Sequence, residues 1–237
     1  MGGPGSVTGV ILQARLDSSR LPAKAMLDLQ GKTVVEHAMA ALRRISSAEV
    51  FILATDPESA GFFRDKARSE DFELHIGPKE DVLRRFSDAS RYYGLDLIVR
   101  ATGDNPLVSW EIAGDALVLQ KETGADYAAY TDAPLGTGVE VVSVRALLEA
   151  DRLALDPYER EHVCPFLYRR PEQYRISLSP VTLSRRLPDV RLTLDTLEDY
   201  RRISAIFRDL YRGIPIGIDE VLGYLETEAP GNADRTG

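Results

Sequence analysis

The chain of 237 residues has very little cysteine and histidine, which limits the sites it can build. Cys164 is the single cysteine, so an internal disulfide and a cysteine zinc cluster are both excluded. The three histidines, His37, His75 and His162, are scattered, and no two of them stand at the spacing of metal ligands. The sequence therefore lies outside the disulfide-rich and the cysteine–histidine zinc classes.

The chain also lacks a basic excess and a long apolar run. Its 29 lysines and arginines stand against 37 acidic residues, which gives a formal net charge of −8. A dominant basic face is what non-specific nucleic-acid binders and anionic-membrane binders need, so this balance argues against both. No apolar run approaches the length of a membrane span, and MGGPGS is not a signal peptide. We therefore expect a cytoplasmic protein without nucleic-acid or membrane partners.

Two common nucleotide-binding signatures are missing as well. No Walker A sequence is present, which argues against a P-loop NTPase. No G-x-G-x-x-G follows the first apolar strand, which argues against a dinucleotide dehydrogenase. The length fits one large α/β domain or two small ones, and the 44% hydrophobic and 28% charged fractions are those of an ordinary globular protein.

Short apolar strands alternate with amphipathic helices along the first half of the chain. This alternation predicts βαβ units in a mostly parallel sheet. Ligands bind outside the carboxyl ends of the strands in such sheets, so the loops that follow these strands are expected to share one edge. The predicted strands are 10–12, 50–54, 72–76 and 97–101. One predicted helix begins after Thr33, a second contains Phe62 and Phe63, and two more span 82–93 and 110–123.

From residue 126 onward the alternation is less regular. We interpret 126–187 as a small β-rich elaboration on a single domain that covers 7–228, and we expect 1–6 and 229–237 to be disordered tails. The later predicted elements are strands at 126–130, 138–143, 174–178 (an edge strand) and 190–194, with a charged helix at 160–170 after a break at Pro157 and a second helix at 199–210.

The stretch 10–24, VILQARLDSSRLPAK, has the strongest functional signal. An apolar strand breaks into a polar loop in which Arg15, Arg20 and Lys24 surround a Ser-Ser pair, and Pro22 excludes a regular helix there. Backbone N–H groups and three cations, with Lys24 as an exposed phosphate ligand, suit a polyphosphate. The common alternative is a solvated surface loop, but this cation spacing in an acidic chain favours the phosphate site.

Two aspartates at predicted strand ends are candidate metal ligands. Asp104, in RATGDNPL, follows a strand that Gly103 and Pro106 end, and Asp195 stands in VRLTLDTLED. Each has a plain alternative as a turn or helix-capping residue. Mg²⁺ is typically held by one or two carboxylates together with phosphate oxygens. Two strand-end aspartates beside a cationic loop are therefore typical of a site for phosphoryl or nucleotidyl transfer.

QARLDSSRLPAK resembles the N-terminal signature of the SpsF-like (spore coat polysaccharide biosynthesis) cytidylyltransferases and, more distantly, that of the CMP-KDO and CMP-sialate synthetases. The Arg-x4-Arg-x3-Lys pattern of these families binds the nucleoside triphosphate, and it falls here on Arg15, Arg20 and Lys24. GDNP and DTLED match their magnesium ligands at Asp104 and Asp195. The resemblance covers about 10–210 and implies an α/β, Rossmann-like nucleotidyltransferase (GT-A-like) fold.

Three further segments resemble these families less sharply. GPKEDVLRRF resembles a loop near the nucleotide base, although a plain helix start at Asp81 is an equal alternative. REHV and GTGVEVVS resemble acceptor-side motifs, but Cys164 stands where relatives often have Thr and Gly138 where Asp is usual, so the acceptor stays open. The resemblance implies nucleotide contacts by Gln13, Ala14, Asp81, Arg85, Thr102 and Gly103, acceptor contacts by Glu140, Glu161 and His162, and catalytic roles for Arg15 and Lys24.

The implied activity is Mg²⁺-dependent cytidylyl transfer from CTP to an acidic sugar or sugar phosphate, with release of pyrophosphate, in surface polysaccharide or glycan precursor synthesis. The 126–187 region is then the expected acceptor or homodimer region. A glycosyltransferase of related fold is one alternative, but GDN lacks the second acid of an Asp-x-Asp metal motif. A non-catalytic nucleotide-binding protein is the other, and it would be expected to have lost one of the three cations or two carboxylates.

Overall fold

The computed structural model describes residues 6–18 and 20–228. Apart from Ser6, the predicted disordered tails 1–6 and 229–237 lie outside these residues, and so does the second serine of the Ser-Ser pair. Among the described helices, none is both long and apolar enough to cross a membrane.

The elements alternate along the described chain as the sequence predicts. The strands are β1 (Thr8–Gln13), β2 (Asp28–Leu29), β3 (Lys32–Thr33), β4 (Val50–Thr55), β5 (Glu73–Ile76), β6 (Leu97–Thr102), β7 (Tyr127–Thr131), β8 (Glu140–Ser143) and β9 (Ile176–Pro180). The helices are α1 (Val34–Leu42), α2 (Ala60–Ser69), α3 (Val82–Tyr92), α4 (Trp110–Thr123), α5 (Val144–Leu153), α6 (Pro157–His162), α7 (Pro165–Tyr168), α8 (Leu197–Leu210) and α9 (Ile218–Glu228).

One large sheet runs through the described structure in the order β5-β4-β1-β6-β8-β7-β9. β8 pairs antiparallel with β6 and β7, and the other neighbouring strands pair in parallel, so the predicted mostly parallel α/β sheet is confirmed. β2 and β3 form a separate antiparallel pair. The predicted elaboration contributes β7, β8 and β9 to this central sheet, with β9 at its edge, and also contains α5, α6 and α7.

Both faces of the sheet are buried, because side chains alternate between its faces along each strand. In β1, Val10 and Leu12 belong to an apolar cluster that includes Phe63 of α2. Ile11, between them, belongs to the cluster on the opposite face, which includes Phe86 of α3. The protein is therefore a three-layer α/β/α structure whose strands are apolar on both sides, as parallel strands under helices usually are.

The predicted strand over 190–194 is wrong. This segment is extended, but it makes only an isolated bridge, between Leu135 and Arg191. Leu192 and Leu194 are fully buried in a third apolar cluster with Phe207 of α8, which explains the alternating pattern. The alternation therefore reports one-sided burial of an extended loop and not a strand of the sheet.

The predicted helix over 160–170 is also wrong, because the chain forms two short helices there. Pro157 begins α6 at its first turn instead of breaking the chain, and Pro165 begins α7 in the same way. Val163 between them has a φ of 73° and a ψ of −60°, the geometry of a γ-turn, in which the Cys164 N–H donates to the His162 carbonyl oxygen at 2.9 Å. A positive φ is rare for a β-branched residue. The helices α5 and α9 were not predicted, although Ser143 accepts a capping hydrogen bond from the backbone of Ala146 at the start of α5.

Candidate functional site

A cleft of about 320 Å³, which we call the first cavity, opens where β1 and β6 end. β1 lies between β4 and β6, so the chain passes to opposite sides of it, which is the switch point where ligands bind in α/β sheets. The described residues that line the first cavity are Gln13, Ala14, Arg15, Asp17, Ser18, Arg20, Lys24, Ala25, Arg100, Thr102, Gly103, Asp104, Glu161, His162 and Asp195.

Gly103 brings the two strand ends into close contact. Its backbone N–H donates to the Gln13 carbonyl oxygen at 2.7 Å. A Cβ atom at this position would lie 2.8 Å from the Ala14 Cβ, too close for an ordinary contact. Only glycine permits this approach without a backbone shift, and the approach places Asp104 beside the cationic loop.

Asp104 and Asp195 converge on the amine of Lys24. The Lys24 Nζ lies 2.6 Å from Asp104 Oδ2 and 2.7 Å from Asp195 Oδ1, although the two aspartates are far apart in sequence. The Lys24 side chain is only 15% exposed, so the predicted exposed lysine is in fact largely enclosed. The two carboxylates therefore face each other across a gap that one cation fills.

Neither aspartate serves as a helix cap. Ser109 caps α4 by accepting from the Ile112 N–H, and Thr196 caps α8 by accepting from the Asp199 N–H. The helix-capping alternative is therefore wrong for both aspartates, although Asp104 does lie in a turn. Both side chains line the first cavity. Because Thr196 begins α8, Asp195 stands immediately before the helix and its carboxylate points away from it toward the cations.

The other cations of the loop also reach acidic partners. Arg20 Nη2 lies 3.1 Å from Asp195 Oδ1, and Arg191 forms a second ion pair with the other oxygen of the same carboxylate. Arg15 Nη2 donates to Glu161 Oε1 at 3.2 Å across the mouth of the first cavity. The Arg15–Glu161 pair is half-exposed, so a more strongly charged ligand can replace it at little cost. Asp195 is largely buried, whereas its partners Arg20 and Arg191 extend toward solvent.

Glu161 and His162 reach the first cavity from α6. Arg160, beside them, is held by Asp81 Oδ2 at 2.6 Å and by Asp151 Oδ1 at 2.8 Å, which ties α6 to α3 and α5. The γ-turn at Val163 then ends α6 directly after His162. The segments GPKEDVLRRF and REHV, separate in the sequence, thus meet in the Asp81–Arg160 ion pair.

Asp81 and Arg85 do not line the first cavity. Asp81 caps α3 by accepting from the Arg84 N–H at 3.0 Å, which confirms the plain helix start. Arg85 is fully buried and donates to the carbonyl oxygens of Pro78 and Lys79, and this burial lowers the pKa of its guanidinium. The structure thus gives both residues contacts that shape the 77–86 loop.

A second cavity of about 350 Å³ adjoins the first on the other side of β6, and Glu140 lines it. Arg100 and Thr102 line both cavities. Arg100 Nη1 forms a short ion pair with Glu140, and the Tyr127 hydroxyl donates to Glu140 Oε1 at 2.9 Å. Burial and then the charge of Glu140 raise the pKa of Tyr127, which keeps its proton on the phenol.

Residue choice from the sequence missed several residues of the first cavity. Asp17 and Ser18 of the cationic loop, Ala25 directly after it and Arg100 of β6 all line the first cavity but were not predicted as site residues. The signal for Arg100 was available, because alternate residues of a strand point to one side and Arg100 stands two residues before Thr102.

Cys164 lies close to the Arg100–Glu140 ion pair, and we expect its thiol to be unreactive in the folded protein. The residue is fully buried, and burial and then the charge of Glu140 raise its pKa well above the ordinary value. Because the thiolate is the reactive form, labelling by a thiol reagent should be about a hundred-fold slower before unfolding than after it. Rapid stoichiometric labelling in native buffer would contradict this placement.

The chemistry of the first cavity fits a hard divalent cation. No group of three or more acidic, histidine or cysteine side chains that could hold a metal occurs among the described residues. Mg²⁺ does not need such a group, because it is commonly held by one or two carboxylates together with phosphate oxygens and water. Asp104 and Asp195, which already share one bound cation in Lys24, are the residues that would hold it.

Comparison with known proteins identifies the family to which the chain belongs. The family model described as cytidylyltransferase matches residues 9–218. The spore coat polysaccharide biosynthesis protein SpsF of Bacillus subtilis is 28% identical over 95% of this chain and 96% of its own. The 3-deoxy-manno-octulosonate cytidylyltransferase of Agrobacterium fabrum is 27% identical over 89% of each chain.

A solved structure shares the whole architecture. A cytidylyltransferase from Leptospira borgpetersenii superposes with a TM-score of 0.87 and covers 94% of this chain and 95% of its own, at 24% identity. This likeness confirms the nucleotidyltransferase fold, and the family match extends over most of the sequence. The chain belongs to the cytidylyltransferase family and is a nucleotidyltransferase.

Proposed function

We propose that this protein transfers a cytidylyl group from CTP to an acidic sugar or sugar phosphate in a Mg²⁺-dependent reaction that releases pyrophosphate. The observation behind the proposal is the convergence of Lys24, Asp104 and Asp195 in the first cavity, at the carboxyl ends of the sheet. The similarity to SpsF and to a 3-deoxy-manno-octulosonate cytidylyltransferase supports a sugar as acceptor.

In this proposal the triphosphate lies in the first cavity. Arg15 and Arg20 offer planar guanidinium groups suited to two-point contacts with phosphate oxygens, and Lys24 offers a compact ammonium group. These cations would exchange their carboxylate partners for phosphate oxygens when the nucleotide binds. Mg²⁺, held by Asp104 and Asp195, would neutralise phosphate charge as the leaving group departs.

The transfer step forms one bond and breaks one. An acceptor oxygen bonds to the α-phosphorus of CTP, the bond from that phosphorus to the bridging oxygen breaks, and pyrophosphate leaves with the electron pair. The acceptor's proton, where it has one, passes to solvent or to a carboxylate of the cavity. No covalent enzyme intermediate is needed, so positioning and electrostatic stabilisation by the surrounding residues supply the rate enhancement.

The acceptor would approach from the second cavity. The two cavities share Arg100 and Thr102 as a common wall, so a molecule in the second cavity is adjacent to phosphates in the first. Glu140 in the second cavity and Glu161 and His162 in the first are the residues proposed to contact the acceptor.

Nucleotide choice provides the test of this proposal. We expect calorimetry with Mg²⁺ to show CTP binding more tightly than UTP, GTP or ATP, and pyrophosphate release to require CTP together with a sugar acceptor. The expected discrimination is at least about ten-fold, the scale of one base-specific hydrogen bond to a buried group. Equal affinity for the four triphosphates would remove the cytidylyl assignment, and absence of any triphosphate binding would remove the nucleotide site.

A further inference from the structure

The second cavity differs from the first in its charges. Four cations line the first cavity, but Arg100 is the one lysine or arginine among the described residues that line the second. Its charge is committed to Glu140 through the ion pair with Nη1. Asp132, the other acid of the second cavity, is paired with Arg186 at 3.3 Å. The second cavity therefore offers no uncommitted positive charge within the described structure.

Uncharged polar side chains also line the second cavity. Among them, Thr102, Asn105 and Tyr130 carry hydroxyl or amide groups. Asn105 Nδ2 donates to Thr102 Oγ1 at 2.8 Å, so these two side chains are held together in the wall of the cavity. A ligand hydroxyl can pair with groups of this kind because it both donates and accepts.

Gly138 gives the second cavity open space. No heavy atom lies within 4 Å of the position that a Cβ atom would occupy there. The cavity volume of about 350 Å³ lies within the range of small-molecule sites. A ring with several hydroxyl groups fits the shape and the available hydrogen-bonding atoms.

We infer that the second cavity binds the uncharged, hydroxyl-bearing ring of the acceptor and that the Arg100–Glu140 pair rejects rings with a second, remote anionic group. This inference rests on the proposed function and narrows its acceptor. The acceptor's anionic group stays next to the reacting oxygen, where the cations of the first cavity reach it. A remote carboxylate would lose its water beside Glu140 without gaining a cation.

Matched acceptors test this selectivity. Hexose 1-phosphates and the corresponding hexuronic acid 1-phosphates differ only in a remote carboxylate, and we would compare them in the gluco, galacto and manno series. 3-Deoxy-manno-octulosonate, whose carboxylate adjoins the reacting hydroxyl, completes the panel. In whichever of the three sugar series the protein accepts as substrate, we expect kcat/KM with CTP and Mg²⁺ to be about ten- to a hundred-fold higher for the uncharged ring.

Two pairs of variants locate the selectivity. Glu140→Gln frees the charge of Arg100 and should reduce the preference at least about five-fold, whereas Glu172→Gln, an equal charge change on an exposed surface, should not alter it. Gly138→Asp adds a carboxylate to the open space and should increase the preference, whereas Gly138→Asn, of equal size, should leave it unchanged. Thermal unfolding establishes that each variant is folded.

Several outcomes overturn the inference. A hexuronic acid 1-phosphate used as well as its hexose partner by the unaltered protein would do so, even if Glu140→Gln failed to fold. An unchanged preference in both Glu140→Gln and Gly138→Asp would do so as well. If CTP binds but no member of the panel is used or bound, the inference fails while the nucleotide assignment stands. If CTP does not bind, the proposed function itself fails.

Discussion

Asp104→Asn and Asp195→Asn are each expected to reduce kcat by about a hundred- to a thousand-fold, the scale of a lost electrostatic contact in an active site. Both carboxylates lie at Lys24 and neither caps a helix, so an isosteric amide removes charge without removing a helix cap. Asp195 has the larger number of cation contacts, so its replacement should have the greater effect. The measurement is pyrophosphate release at saturating CTP as a function of Mg²⁺ concentration.

The control for these variants is Asp65→Asn, an exposed aspartate on α2, which should keep turnover close to that of the unaltered protein. Binding of Mn²⁺, followed by its paramagnetic signal in the presence of CTP, separates metal binding from charge balance. We expect both active-site variants to weaken Mn²⁺ binding. Full turnover with unaltered dependence on Mg²⁺ in both variants would remove these aspartates from the metal site.

Lys24→Ala is expected to reduce kcat by about ten- to a thousand-fold, more than it raises the KM for CTP. The reason is that an ammonium group close to the phosphates stabilises charge that develops as pyrophosphate leaves. The side chain is largely enclosed between two carboxylates, so its loss removes the cation that lies at Asp104 and leaves Asp195 with its two arginine partners. We therefore also expect a loss of about 1–3 kcal/mol in the free energy of unfolding.

Mg²⁺ should separate these two effects of Lys24→Ala. A divalent cation that binds Asp104 and Asp195 in place of the missing ammonium group would raise the unfolding temperature of the variant more than that of the unaltered protein. It would not restore kcat, because the phosphate contact of the lysine is still missing. Lys66→Ala, which removes a lysine paired with Glu36 outside the first cavity, is the matched control. Unaltered kinetics in Lys24→Ala would return this residue to the solvated-loop interpretation.

The local signals in the sequence predicted the first cavity well. The cationic loop and Gly103 each follow a predicted strand of a parallel sheet, and both strands end at the same edge. The proximity of Asp104 to the cationic loop therefore followed from topology. The contact between Lys24 and Asp195 did not follow from it. It depends on how the extended segment before α8 packs its leucines under that helix, which is a tertiary effect without a local signature.

The errors have specific physical causes. The resemblance of GPKEDVLRRF to a family motif placed Arg85 near the nucleotide, but its guanidinium is buried and donates to backbone carbonyls of the preceding loop. The helix assigned over 160–170 ignored Pro165, which lacks an N–H and disfavours a helical conformation in the residue before it. The pairing of Arg100 with Glu140 required the antiparallel register of β6 with β8, which no single segment specifies.

The position of β8 has a consequence for the order in which the protein can assemble during synthesis. β8 lies between β6 and β7 although it is made after both, and β7 pairs with β8 and β9. The strands β5, β4, β1 and β6 can therefore pair as soon as residue 102 has left the ribosome, whereas β7 must wait for residues 140–143. Asp195 arrives later still, so the nascent chain builds most of its sheet well before its active site is complete.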